Sequence, residues 1–178
     1  MQPVRCLLAT LGALALGVPA AAQTARNVEP IPELVVPKRV AAQHTPSGLP
    51  VPRYVSLKFG RTNGRTGPSR NHAVAWSYSR RGLPLVVVAE TSQWRRVRDI
   101  SGDESWIKSS GLSGERRALA LGAVEVRRKP GADARLKAVT EDGAILRLGA
   151  CRDGWCEVEA GGLSGWAVQS RLWGAQPL

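Results

Sequence analysis

The stretch GLPLVVVAETSQWRRVRDISGDESWIKSSGL (residues 82–112) returns, altered but in step, as GAILRLGACRDGWCEVEAGGLSGWAVQSRL (residues 143–172). Gly82 precedes Trp94 by twelve residues, and Gly143 precedes Trp155 by twelve. Trp106 precedes Leu112 by six, and Trp166 precedes Leu172 by six. The chain has only six tryptophans in 178 residues, so two in matching positions twice over signal a duplication rather than coincidence. A strand-rich unit recurring at about sixty residues reads as one small β-domain present in two copies.

Each copy divides into short strands separated by turn residues. In the first copy, Arg53–Leu57, Ala73–Tyr78, Leu85–Glu90, Trp94–Asp99 and Glu104–Ile107 are expected as strands. The second gives Val124–Arg128, Leu136–Val139, Ile145–Ala150, Trp155–Glu159 and Ser164–Val168. Helix is expected only as single turns at Ser109–Leu112 and Gln169–Leu172. The fold class is therefore all-β, with two small, partly open barrels in tandem. Domains of this size bury about 60% of their unfolded surface and are marginal alone. The joining segment Ser113–Leu121 is short and contains Ala118-Leu119-Ala120-Leu121, so the two copies are expected to share an apolar interface.

The segment Cys151-Arg-Asp-Gly-Trp-Cys156 carries the most specific local geometry. Asp-Gly is a two-residue hairpin turn, which makes Arg152 and Trp155 the closing pair. Cys151 and Cys156 then face one another at the next position, where a cross-strand disulfide fits. Closing so short a loop contributes at most roughly 2 kcal/mol. In the first copy, an offset of sixty-one residues puts Glu90 and Arg95 at the same two places. An ion pair there is the polar equivalent of the covalent link.

Residues 1–22 read as a signal peptide: Arg5, an apolar run from Leu7 to Val18, and the small residues Ala20-Ala21-Ala22. A short membrane anchor is the competing reading. Residues 23–52, punctuated by Pro30, Pro32, Pro37, Pro46, Pro50 and Pro52, are expected as a Pro-rich disordered tether. The first domain is then 53–115 and the second 116–178. No stable membrane insertion of the mature chain is expected, and export to the periplasm or beyond suits the paired cysteines. Charge is uneven. Residues 53–117 hold 13 basic and 5 acidic side chains, whereas 118–178 hold 8 and 7. An exported basic domain is drawn to anionic polymers, headgroups or acidic proteins, or its charge simply confers solubility. Nucleic acid is not expected as a partner.

The set Asn63-x-Arg65-x-Gly67-Pro68-Ser69, Gly82, Trp94, Val97, Gly102, Trp106 and Ser110-Gly111-Leu112 resembles the bacterial SH3-like domain family. The second copy repeats the set as Val126-Arg127-x-x-Pro130, Gly143, Trp155, Val158, Gly165-Trp166 and Ser170-x-Leu172. The likeness covers about 53–173, and is closest to exported proteins with two such domains and no enzyme domain. It implies modules that bind cell-wall peptides or target wall hydrolases. Two positions depart from the family pattern. Gly64 stands where a β-branched core residue is usual, which would weaken that strand. Lys129 replaces a usual glycine in the second copy.

The candidate ligand-binding residues are Trp76, Tyr78, Trp94, Arg96, Arg98 and Trp155. Alternation places Trp94 with Arg96 and Arg98, opposite Val97, and Trp155 with Glu157 and Glu159, opposite Val158. Those rings are either binding surfaces or packing folded over the barrel rim. Trp76 and Tyr78 are either core or groove wall. Trp106 and Trp166 are expected in the core. No catalytic residue, metal or cofactor is expected: His44 and His72 sit in no nucleophile or metal motif, and the acidic residues form no pair framed for glycoside hydrolysis. Two functions remain in competition. One is a non-catalytic cell-envelope module recognising a peptidoglycan peptide or anionic wall component. The other is a periplasmic protein-interaction adaptor that docks an envelope enzyme or secretion component.

Overall fold

The computed structural model describes residues 39–178. The signal peptide expected over 1–22, and the tether as far as residue 38, lie outside them. The described chain is two antiparallel seven-stranded sheets that repeat one another strand for strand. The first contains β1 (Arg53–Leu57), β2 (Thr62–Arg65), β3 (Val74–Tyr78), β4 (Pro84–Glu90), β5 (Trp94–Arg98), β6 (Glu104–Lys108) and β7 (Leu112–Ser113), in the spatial order β3-β2-β6-β5-β4-β1-β7. The second contains β8 (Arg117–Ala120), β9 (Val124–Arg127), β10 (Leu136–Thr140), β11 (Ile145–Arg152), β12 (Trp155–Ala160), β13 (Leu163–Val168) and β14 (Leu172–Trp173). Its order, β10-β9-β13-β12-β11-β8-β14, is the first order advanced by seven. Single 3₁₀ turns at Ser109–Gly111 and Gln169–Arg171 occupy equivalent places. Each sheet curls into a partly open barrel around its own apolar core.

The residue pattern explains the layering. Along β4, Leu85 and Val87 face the first core, while Val86 and Val88 face away from it and meet the second barrel. That is why β4 reads as an unbroken apolar run: both of its faces are covered. β8 does the same in the second barrel, with Ala118 and Ala120 inward and Leu119 outward. The shared layer gathers Val86, Leu119 and Trp173, with Tyr54, Leu83, Ile100, Ile145 and Leu178 around them. Tyr54 meets the Trp173 ring edge-on, with centroids 5.9 Å apart. Arg80 also donates to the Gly143 carbonyl at 2.6 Å. The expected apolar interface is present. The joining segment contains β8, which is the first strand of the second barrel rather than a connector.

The hairpin at the end of β11 has the expected register, with Arg152 opposite Trp155 and Cys151 opposite Cys156. Asp153 and Gly154 adopt φ of 51° and 75°, the left-handed pair that a type I′ turn requires. Cys151 and Cys156 are disulfide-bonded. In the first barrel Glu90 faces Arg95 and binds it at 3.1 Å. Arg53 adds a second contact to the same carboxylate at 2.6 Å, and the Ser47 backbone N–H a third at 2.9 Å. Burial opposes ionisation of Glu90, but the hydrogen bonds from Ser47 and Arg53 outweigh it and hold the carboxyl below its ordinary value. β4 and β11 each carry one extra residue against β5 and β12, a bulge at the same place in both copies.

Three expectations need correction. The tether does not run to residue 52: Val40 bridges to Val51, Val51 is buried in the first core, and Ala42–His44 forms a 3₁₀ turn. The apolar Val51 and the Ser47 contact to Glu90 moor this stretch to the barrel. Second, Gly64 does not leave a hole. A Cβ there would lie 2.3 Å from Ser105 Oγ and 3.1 Å from the Tyr78 ring, so neighbouring side chains occupy the space. In the second barrel the exchange is reversed: Val126 supplies the bulk and Gly165 gives way, since a Cβ on Gly165 would stand 2.6 Å from Val126. Third, Trp106 and Trp166 are not core. Alternation along β6 and β13 turns Ser105 and Ile107, or Gly165 and Ala167, inward and leaves both indoles half-exposed.

Candidate functional site

The outward row Arg65–Trp106–Arg96 crosses β2, β6 and β5 of the first barrel through direct register partners. Beside it Trp94 faces Lys108 across the same strand pair. The loop that follows β2 folds back over this region. Arg65 secures it by donating to the His72 carbonyl at 2.7 Å, and Ser69 Oγ bonds the His72 ring at 2.7 Å. Between loop and sheet lies an open cavity of about 630 Å³, lined by Pro68, Ser69, Arg70, Trp94 and Lys108 and by the Thr91–Gln93 turn. Trp94 is 8% exposed and packs at the base of this cavity.

Charge on this face is only partly compensated. Glu104 takes both Arg96 and Arg98, at 2.6 Å and 2.7 Å. One carboxylate thus faces two guanidinium groups. Arg65, Arg70 and Lys108 have no ion pair among the described residues. The result is an indole half open to solvent, flanked by cations, next to a cavity with further cations at its edge. Such a surface can hold an anionic or peptide ligand by charge and by ring contact.

The corresponding row of the second barrel is Arg127–Trp166–Glu157. Here the charges cancel internally. Glu125 pairs with Arg127, and the Arg152 guanidinium lies 4.6 Å from the centre of the Trp166 ring. The position of Glu125 is Asn63 in the first barrel, which is why Arg65 lacks a carboxylate partner. Trp155 is half-buried and lines a smaller cavity of about 290 Å³ with Glu125, Arg127 and Arg171.

The remaining expected residues fall elsewhere. Trp76 and Tyr78 sit on edge strand β3 and pack against the first core, ring centroids 6.2 Å apart and nearly perpendicular. Tyr78 is buried and its hydroxyl bonds Ser105 at 3.2 Å. Burial pushes that hydroxyl's pKa up, with the Ser105 bond acting against it. So Trp94, Arg96 and Arg98 belong to one face, Trp76 and Tyr78 to another location, and Trp155 to the other barrel. Sequence reasoning missed Arg65, Arg70, Trp106 and Lys108. The available signal was the alternation of Glu104, Trp106 and Lys108 against Ser105 and Ile107.

Two small antiparallel barrels, each with an outward row that sets an indole among charged side chains, make up the described chain. The chain belongs to the bacterial SH3 domain family, whose model matches residues 58–114 and 122–174. Among solved structures it is similar to NlpC2 and NlpC1 from Trichomonas vaginalis, each at 12% identity and a TM-score of 0.32 over 68% of this chain. It spans about half their length, 48% and 45% respectively, and likeness at that level carries no functional weight. No curated protein matches. No helix among the described residues is long and apolar enough to cross a membrane.

Proposed function

We propose that the chain is a non-catalytic binding module of the cell envelope, exported to the periplasm or beyond, that holds an anionic or peptide-bearing wall component such as a peptidoglycan peptide. The observation that carries this reading is the set Arg65, Arg70 and Lys108, which has no ion pair among the described residues, beside Arg96, which shares Glu104 with Arg98, around Trp106 and the cavity at Trp94. A backbone-rich anionic ligand gains ring contact and charge there. The disulfide and the family membership support a place outside the cytoplasm.

Sedimentation with purified peptidoglycan at increasing salt tests the proposal. Retention at low salt that falls steeply with ionic strength is expected, because exposed charges are screened over about 10 Å at 0.1 M. The double variant Arg70→Glu with Lys108→Glu should lose retention, whereas Lys129→Glu, at an exposed position of the second barrel, should keep it. Absence of retention at low salt defeats the proposal.

A further inference from the structure

The two barrels also differ at the end where β3 and β10 form the sheet edges. Register makes Trp76 the counterpart of Ala138, and Tyr78 the counterpart of Thr140. In the first barrel the two large rings close this end of the core. In the second, Val126 fills part of that volume, and an open cavity of about 420 Å³ remains against Ala138, Val139, Thr140, Leu146, Val158 and Leu163. The Thr140 hydroxyl is shut off from solvent and has no hydrogen-bond partner. Leaving such a group unsatisfied costs about 1–3 kcal/mol.

A second cavity, about 360 Å³, adjoins the first and shares Leu163 with it. It is lined by Arg128, Arg135, Leu136 and Lys137. None of these cations has an ion pair among the described residues, although the Lys137 ammonium donates to the Ser164 carbonyl. The strand joining the two cavities, β10, pairs only with β9 and is a free sheet edge, with Leu136 and Val139 exposed at 44% and 54%. Edges of this kind accept an extended segment by main-chain hydrogen bonds, with pockets reading alternate side chains. Lys137 guards the edge against indiscriminate pairing and leaves a charge-matched strand as the exception.

We propose that the β10 edge of the second barrel is a docking site for an extended acidic segment of a partner protein, with a tyrosine ring in the Ala138–Thr140 cavity and a carboxylate over Arg128, Arg135 and Lys137. The ring takes the place that Tyr78 and Trp76 fill in the first barrel, and its hydroxyl satisfies Thr140 after rotation of that side chain. Residues alternate along a strand at about 3.3 Å each, so the carboxylate and the ring lie about two residues apart. This site is on the second barrel and the Trp106 face on the first, so its failure leaves the envelope-binding reading untouched.

The test is an NMR titration of the full chain with the peptide acetyl-Asp-Glu-Thr-Tyr-Thr-amide. Amide shifts confined to 136–140 and 161–163 are expected, with affinity falling as salt rises. Replacing the peptide's tyrosine by alanine should weaken binding at least tenfold. Ala138→Trp, which copies Trp76, should do the same while other resonances stay in place. Val139→Lys, at an exposed position, is a second block that spares the core. No shifts at millimolar peptide, shifts indifferent to Ala138→Trp and Val139→Lys, or shifts mapped to the first barrel would overturn the proposal. So would concentration-dependent shifts without peptide that vanish when Phe59, an aromatic ring of the first barrel 51% exposed, is changed by Phe59→Ala, since the cavity would then be covered by a second copy of the chain.

Discussion

The two barrels share strand order, bulge position, hairpin register and 3₁₀ turns, yet they satisfy the same contacts with different chemistry. At the hairpin, one uses a disulfide and the other a buried carboxylate held by two arginines and a backbone N–H. On the outer face, one leaves Arg65, Arg70 and Lys108 without an ion pair among the described residues, and the other pairs Arg127 with Glu125 and has Glu157 where the first has Arg96. At the sheet edge, one inserts two rings and the other leaves a cavity. Duplication kept the frame and let three surfaces diverge. A fold held by its pattern of inward residues tolerates that freedom at outward and edge positions.

The shared layer offers the largest break in this pairing. Trp173 is 6% exposed between the barrels, and Trp173→Ala should cost about 3–5 kcal/mol. Denaturant unfolding of the parent is expected as one transition, and that of the variant as two. Next, Glu90→Ala leaves Arg53 and Arg95 facing each other with no carboxylate. Their side chains are only 14% and 11% exposed, so a loss of about 3 kcal/mol is expected from the same measurement. Gly64→Val should cost about 2 kcal/mol through its clash with Ser105, and the paired change with Ser105→Gly should restore a large part by copying Val126 and Gly165. Removing the disulfide by Cys151→Ala with Cys156→Ala should cost at most about 2 kcal/mol. If it costs more than Glu90→Ala, the order argued for the two hairpins is reversed.

The smallest effect expected is a pH dependence. Glu90 is held below its ordinary value of 4.5, so the folded chain binds fewer protons at this site than the unfolded one. Its contribution is fully present above that ordinary value and is lost as pH falls through the lower folded value. Asp99 moves the other way, because burial raises its carboxyl despite hydrogen bonds from the Asp103 and Ser101 backbone. Glu90→Gln should therefore flatten the fall in stability below pH 4.5 seen by thermal melting, and leave the Asp99 trend in view.

How far the sequence could be read depended on whether a feature was local. The Asp153-Gly154 turn dictates its own register, so the cysteine pair and its Glu90–Arg95 equivalent follow from spacing alone. β2 entered only through the family resemblance and not from the residue pattern, because Thr62-Asn63-Gly64-Arg65 is polar and holds a glycine; its strand geometry comes from pairing with β3 and β6. Gly64 becomes intelligible only beside Tyr78 and Ser105, which are distant in sequence. Trp106 and Trp166 were misplaced because indole looks like core, although Ile107 and the small Ala167 were the inward residues by alternation. The prolines of 40–52 suggested a free tether, and nothing local reveals that Ser47 meets Glu90. The candidate face was half legible: Trp94, Arg96 and Arg98 came from one strand, whereas Arg65 lies on β2, whose strand geometry is set by pairing, and Arg70 on the loop that follows it.

The apolar layer joining Tyr54, Val86, Leu119 and Trp173 has a consequence for how the molecule grips anything extended. Modules strung on a flexible linker search for a second foothold, and their avidity decays with linker length. Here the layer holds the two barrels together, so the proposed Trp106 face and the proposed β10 edge keep a fixed separation, and a partner long enough to reach both would gain the second attachment without ordering a linker.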